Sequence, residues 1–236
     1  MPEARWERLL EKCFSMMEYR SMHIIILPPV GAAGDVRMAQ LDANKKLVSQ
    51  YAAKAAAEQF TGIFAVVSDP VDPLCKAAVR QGLGFAQVQG FGLGVMNARA
   101  AYYADRDNRF AAYGDEGRAY GPHGEDLVIA DSITSYNDEL SVELTELTVK
   151  SNLETRADGF KPYIAPALSS GAISIIQMLR REWNYSSVFL GDESSGAFLG
   201  CRNRREAAGD IIIENRELDE KLFERIAKAY DNLCVL

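Results

Sequence analysis

The chain has 236 residues, 48% of them hydrophobic and 25% charged, and its formal net charge is -7. A chain of this length buries a substantial core, and its composition is typical of soluble globular proteins. The acidic balance argues against nucleic-acid binding, and no apolar run approaches the length that crosses a membrane. The four cysteines are scattered without a CxxC pair or a histidine cluster, and the start of the chain does not resemble a secretion signal. We therefore expect a cytoplasmic protein with reduced thiols and no metal site.

The first ninety residues alternate between predicted helices and strands. Residues 3–19 place large apolar side chains at helical spacing, and the run HIIIL at 23–27 is typical of a strand buried on both faces. The next predicted elements are a long helix, a buried strand, a short helix and a weaker strand, at about 38–59, 62–68, 73–80 and 85–91. This alternation predicts a parallel sheet with right-handed crossovers.

After Gly92 the strict alternation of helices and strands ends. A strand is predicted to lead into the GPHG stretch at 121–124. Helices are predicted near 95–105, 136–157, 165–181 and 219–233, and short strands at 185–191, 196–202 and 210–214. The pattern predicts an α+β unit fused to a short α/β unit.

Four short motifs occur in sequence order: GDVRMAQLDANKKL at 34–47, VVSDPVDPL at 66–74, GFGLGVMNAR at 90–99 and GPHGEDLVIADS at 121–132. Their order and spacing resemble the lactate/malate dehydrogenase family. The resemblance implies an α/β fold, with a partial Rossmann parallel sheet followed by the α+β C-terminal domain of that family. It places the remnant of a truncated NAD-binding domain, the C-terminal half of the Rossmann sheet, at 1–92 and the substrate domain at 93–236.

The resemblance also implies a site for a 2-hydroxy or 2-oxo acid. His123 matches the residue that exchanges the hydroxyl proton, and Arg99 matches the arginine that clamps the substrate carboxylate. Arg37 matches the loop arginine that polarises the carbonyl. These residue types suit the roles, because imidazole transfers protons near neutral pH and guanidinium binds carboxylate in a fork. Taken alone, each residue is more often structural or part of a surface ion pair.

Three features depart from the family pattern. Met96 stands where the family has the aspartate that orients the histidine, and a thioether cannot hold an imidazole tautomer. Asp69 replaces an asparagine that hydrogen-bonds the substrate. We expect Asp69 either to oppose an anionic substrate or to serve as a relocated partner for His123. No glycine-rich phosphate loop precedes the strand at 23–27, so the pyrophosphate lacks its usual helix N-terminus.

Three functions therefore stay open. The first is a degenerate dehydrogenase-like protein with weak or no turnover that keeps a pocket for a small carboxylate. The second is an active dehydrogenase completed by a missing segment or another chain, and the third is a structural or regulatory subunit of a homologous dehydrogenase. NAD is the family's cofactor, and we expect this chain to bind none. We expect a homo-oligomer, dimer or tetramer, or pairing with a homologous subunit.

Overall fold

A six-stranded mixed sheet organises the chain in the computed structural model, which describes residues 23–25, 37–157, 165–192, 195–206 and 209–236. The strands of this sheet are β1 His23–Ile25, β2 Phe64–Val66, β3 Val88–Gly90, β6 Asn184–Gly191, β7 Gly196–Arg205 and β8 Ile211–Ile213. A separate two-stranded sheet consists of β4 Arg118–Tyr120 and β5 Val128–Ala130. The helices are α1 Arg37–Ala57, α2 Val71–Val79, α3 Leu93–Ala104, α4 Tyr113–Glu116, α5 Asp138–Ala157, α6 Ala165–Leu179 and α7 Glu220–Cys234.

The strand order in the large sheet is β1-β2-β3-β6-β7-β8. The pairs β1–β2 and β2–β3 are parallel, which confirms the parallel sheet predicted from the alternating elements. Strands β6, β7 and β8 pair antiparallel and extend the same sheet from β3. The sheet therefore combines strands from both predicted units, and the boundary at residue 92 stays a prediction.

Strand β2 shows why its residues form a central strand. Phe64 and Val66 point to one face, where they pack in a cluster with α1 and α2. Ala65 points to the opposite face and packs with Ile175 and Met178 of α6. A strand with helices on both faces has no polar side, which explains its continuous apolar sequence.

The helices and strands predicted from the sequence are present within the described residues, with ends that differ by a few positions. Strand β5 was not predicted, because VIADS is short and its pairing with β4 depends on a turn that the local sequence does not specify. The predicted helix over 3–19 and the end of the strand run at 26–27 lie outside the described residues.

Candidate functional site

The candidate site centres on a contact between Asp69 and His123. Nδ1 of His123 lies 2.8 Å from Oδ1 of Asp69, although 54 positions separate the two residues in the sequence. The His123 side chain is 15% exposed and that of Asp69 is 55% exposed. A mostly buried imidazole is thus held by a carboxylate that ligands in solution can reach.

Two loops bring these side chains together. Asp69 lies between β2 and α2, where the buried amide of Asn44 in α1 donates to the Asp69 carbonyl oxygen at 2.8 Å. His123 lies in the turn between β4 and β5, and the N–H of Gly121 donates to the carbonyl oxygen of Gly200 in β7 at 2.9 Å. Gly121 has a φ of +89°, and a Cβ there would lie 2.6 Å from the Asp126 carbonyl oxygen. This turn therefore needs glycine two positions before the histidine.

Gly92 allows the start of α3 to approach the same site. A Cβ at Gly92 would lie 2.8 Å from Cγ2 of Val71 and 3.5 Å from Cβ of His123. The Val71 contact is closer than carbon atoms normally allow, so a larger residue would push α2 away from α3. The GFGLG stretch therefore serves close packing at this junction.

Arg99 belongs to the same electrostatic environment. It is half-buried in α3, and burial lowers its pKa while Coulombic attraction from Asp69 acts in the opposite direction. Its Nη1 lies 3.6 Å from Sδ of Met96, which is buried. Met96 thus packs against the arginine, and the carboxylate that contacts His123 comes from the β2–α2 loop instead of α3.

Asp72 is a fourth polar residue at the site, and the sequence reasoning missed it. It is only 3% exposed, and burial raises its pKa to about 7 against a lowering effect from the Ser187 hydroxyl, which donates to it. His123 lowers and Asp69 raises the pKa of Asp72 through their charges, which links Asp72 electrostatically to the site. The sequence offers only the apolar residues Val71 and Leu74 near Asp72 as a signal, and it does not state which face of the helix is buried.

Of the four predicted site residues, the structure brings Asp69 and His123 into contact and links Arg99 to Asp69 through charge. The fourth, Arg37, is the first residue of α1, and its side chain lies outside what the structure describes. Asp69 contacts His123 as a relocated partner would, so this alternative has direct geometric support.

A cavity of about 340 Å³ lies on another flank of α3, away from His123. Its lining includes Asn97, Gln177, Trp183 and the two arginines Arg118 and Arg202. Both arginines bind the carboxylate of Glu214. Nε of Arg118 lies 2.6 Å from Oε2, and Nη1 of Arg202 lies 2.7 Å from Oε1. The positive charges of this cavity are thus already paired, and we place the candidate site at His123.

Neither a protein-family sequence model nor a curated protein sequence matches the chain. Solved structures do match. Malate dehydrogenase from Archaeoglobus fulgidus in complex with NADH aligns with a TM-score of 0.70 and 15% identity, over 89% of this chain and 72% of that chain. Malate dehydrogenase from Picrophilus torridus in its apo form aligns with a TM-score of 0.72 and 16% identity, over 95% of this chain and 76% of that chain. The chain has the lactate/malate dehydrogenase fold.

The minor L-lactate dehydrogenase from Enterococcus mundtii, in a ligands-bound form, gives the same result. It aligns with a TM-score of 0.72 and 18% identity, over 90% of this chain and 74% of that chain. The resemblance seen in the sequence motifs is thereby confirmed as a shared lactate/malate dehydrogenase fold.

The described residues also bear on membrane insertion and metal binding. None of the described helices is both long and apolar enough to cross a membrane. Within the same ranges, no group of three histidine, cysteine, aspartate or glutamate side chains could hold a metal ion.

Proposed function

We propose that this chain is a lactate/malate dehydrogenase-like protein that binds a small 2-hydroxy or 2-oxo acid between Arg99 and His123. Arg99 would bind the ligand carboxylate, and His123 would exchange a proton with the ligand oxygen at C2. We propose that turnover by this chain alone is weak or absent, because its sequence lacks the glycine-rich fingerprint that holds the family's cofactor. Arg37, the first residue of α1, would complete the site.

The convergence of Arg99, Asp69 and His123 carries this proposal. The three residues come from different elements, with Asp69 in contact with His123 and acting through its charge on Arg99. If His123 is protonated, its charge balances that of Asp69, and Arg99 leaves the site with a net positive charge. A net positive charge suits a monocarboxylate ligand.

The described residues do not fit NAD. In dehydrogenases of this fold the pyrophosphate binds at the helix N-terminus that follows the first strand of the sheet. No glycine-rich fingerprint occurs in the sequence before β1 or between β1 and α1, and β1 is the edge strand of the described sheet. We therefore derive no catalytic step through the nicotinamide.

A second candidate function is an active dehydrogenase that another segment or chain completes. The 2.8 Å contact between His123 and Asp69 favours it, because this contact supplies the carboxylate that Met96 cannot. A structural or regulatory subunit of a homologous dehydrogenase is the third candidate. In either case the partner is a second copy or a homologous chain. A reducing, cytoplasmic setting is supported by the free thiols of Cys75, Cys201 and Cys234.

Calorimetric titration with oxamate, an inert analogue of a 2-oxo acid, tests the carboxylate site. We expect Arg99→Gln to weaken binding at least about tenfold, because a charge-assisted fork to the carboxylate is lost. Arg106→Gln is the matched control. Arg106 follows the same helix, but its guanidinium lies over the Tyr102 ring. Equal effects of both variants, or binding of neither oxamate nor lactate by the wild type, would refute the proposed function.

A further inference from the structure

Asp69 changes the hydrogen-bonding character of the site. An asparagine side chain both donates and accepts hydrogen bonds, whereas an ionised carboxylate only accepts them. Asp69 has His123 as an ion-pair partner and Arg99 within electrostatic range, so its ionised form is favoured at neutral pH. Its side chain is 55% exposed, so a ligand can approach it.

The same contact determines which ring nitrogen of neutral His123 carries the proton. The carboxylate of Asp69 accepts, so Nδ1 of His123 must donate the hydrogen bond across the 2.8 Å contact. In a neutral imidazole whose Nδ1 carries the proton, Nε2 is an acceptor. With neutral His123, both side chains therefore present acceptors to the ligand oxygen.

We propose that Asp69 makes this site select 2-hydroxy acids over 2-oxo acids. A hydroxyl group donates to either of these two acceptors, whereas a carbonyl oxygen finds no donor in the Asp69 carboxylate or in the unprotonated nitrogen of His123. Arg99 does not discriminate, because both classes of acid carry the same carboxylate. The inference rests on the proposed function, since it assumes that the acid binds between Arg99 and His123.

Matched ligand pairs test the selection at pH 8, which favours neutral imidazole. Asp72, whose pKa is raised to about 7, carries a charge at this pH, but it opposes both classes equally because both carry the same carboxylate. Lactate is compared with pyruvate, and 2-hydroxybutyrate with 2-oxobutyrate, by calorimetric titration of the full chain without cofactor. We expect each hydroxy acid to bind about tenfold more tightly than its oxo partner. In Asp69→Asn the ratio should fall towards one, mainly because the oxo acids, like oxamate, bind more tightly.

Two controls separate this inference from the proposed function. Asp105→Asn removes an exposed carboxylate at the end of α3 and should leave the ratio unchanged. Arg99→Gln should weaken both classes of acid by the same factor. Equal affinity for both classes in the wild type overturns the selection, and so does a ratio that Asp69→Asn does not change. Binding of neither class overturns the proposed function and the selection together.

Long-range proton–nitrogen NMR of the imidazole gives a second measurement that does not need a ligand. The chain has two histidines, so a His23→Gln variant leaves His123 as the single imidazole signal. We expect the neutral ring to carry its proton on Nδ1 in the wild type and to lose this preference in Asp69→Ala. A ring protonated on Nε2 in the wild type would overturn the inference even if the ligand data agreed with it.

Discussion

Replacing Asp72 by asparagine should change the pH dependence of stability. Burial raises the pKa of Asp72 to about 7, whereas its ordinary value is 3.8. The folded chain then holds a proton on Asp72 between these two values, and the unfolded chain does not. The stability from Asp72 is therefore fully present below pH 3.8 and is lost as the pH rises through about 7.

The size of the effect follows from the shift. One pKa unit corresponds to about 1.4 kcal/mol, so three units give about 4 kcal/mol in total, of which about 2 kcal/mol falls between pH 5.5 and 8. An asparagine at 72 keeps the shape of the neutral acid and has no charge to bury. Asp72→Asn should therefore abolish this part of the pH dependence and stabilise the chain at pH 8.

Urea unfolding at pH 5.5 and pH 8 measures the difference between the two chains. Asp105→Asn, which removes an exposed carboxylate, corrects for the loss of one negative charge. The reasoning is refuted if Asp72→Asn and the wild type lose the same stability between the two pH values. It is also refuted if the variant is the less stable chain at pH 8, because Asp72 would then be ionised and well paired.

Two further predictions concern the buried ion pair and the cofactor. Arg118→Met should lower the free energy of unfolding by about 3 kcal/mol, because Glu214 is 9% exposed and loses two of its hydrogen bonds. A change below about 1 kcal/mol in urea unfolding would show that Arg202 alone satisfies Glu214. Titration of the isolated chain with NADH should give no measurable heat, and micromolar affinity would revive the active-dehydrogenase function.

The sequence was sufficient to predict the local elements and the first three parallel strands. Strand β2 and helix α1 carry their own signals, a continuous apolar run and a long helical stretch. The joining of β6 to β3 was not predictable, because Gly90 and Ser187 are far apart in the sequence and no local pattern specifies their pairing. The family motifs filled part of this gap by fixing the order of the elements.

The candidate site was predictable only where a motif supplied the geometry. The motifs named His123, Arg99 and Asp69, but the contact between Asp69 and His123 depends on two loops 54 positions apart. Asp72 was missed because its sequence motif describes a loop followed by a helix and does not state which face of that helix is buried. Burial, and not residue type, makes Asp72 unusual.

The edge position of β1 leads to a prediction about assembly. Among the described strands, β1 pairs only with β2, in the register Ile24 with Ala65 and Ile25 with Val66. Successive backbone N–H groups of a strand point to opposite sides, so one of the amides of Ile24 and Ile25 points away from β2. Soluble proteins cover or pair such an edge, because an open row of N–H and C=O groups templates aggregation.

We expect a second copy or a homologous chain to pair with this edge, as in other symmetric assemblies. Light scattering should then show a dimer or a larger oligomer. Hydrogen exchange followed over a dilution series should show the outward amide of β1 losing protection as the oligomer dissociates. The inward amide, which donates to β2, should keep its protection because it does not depend on the partner.

A monomer at all concentrations with a slowly exchanging outward amide would show that another part of the same chain covers the edge. A monomer in which both amides exchange rapidly would show that β1 does not belong to the sheet in solution.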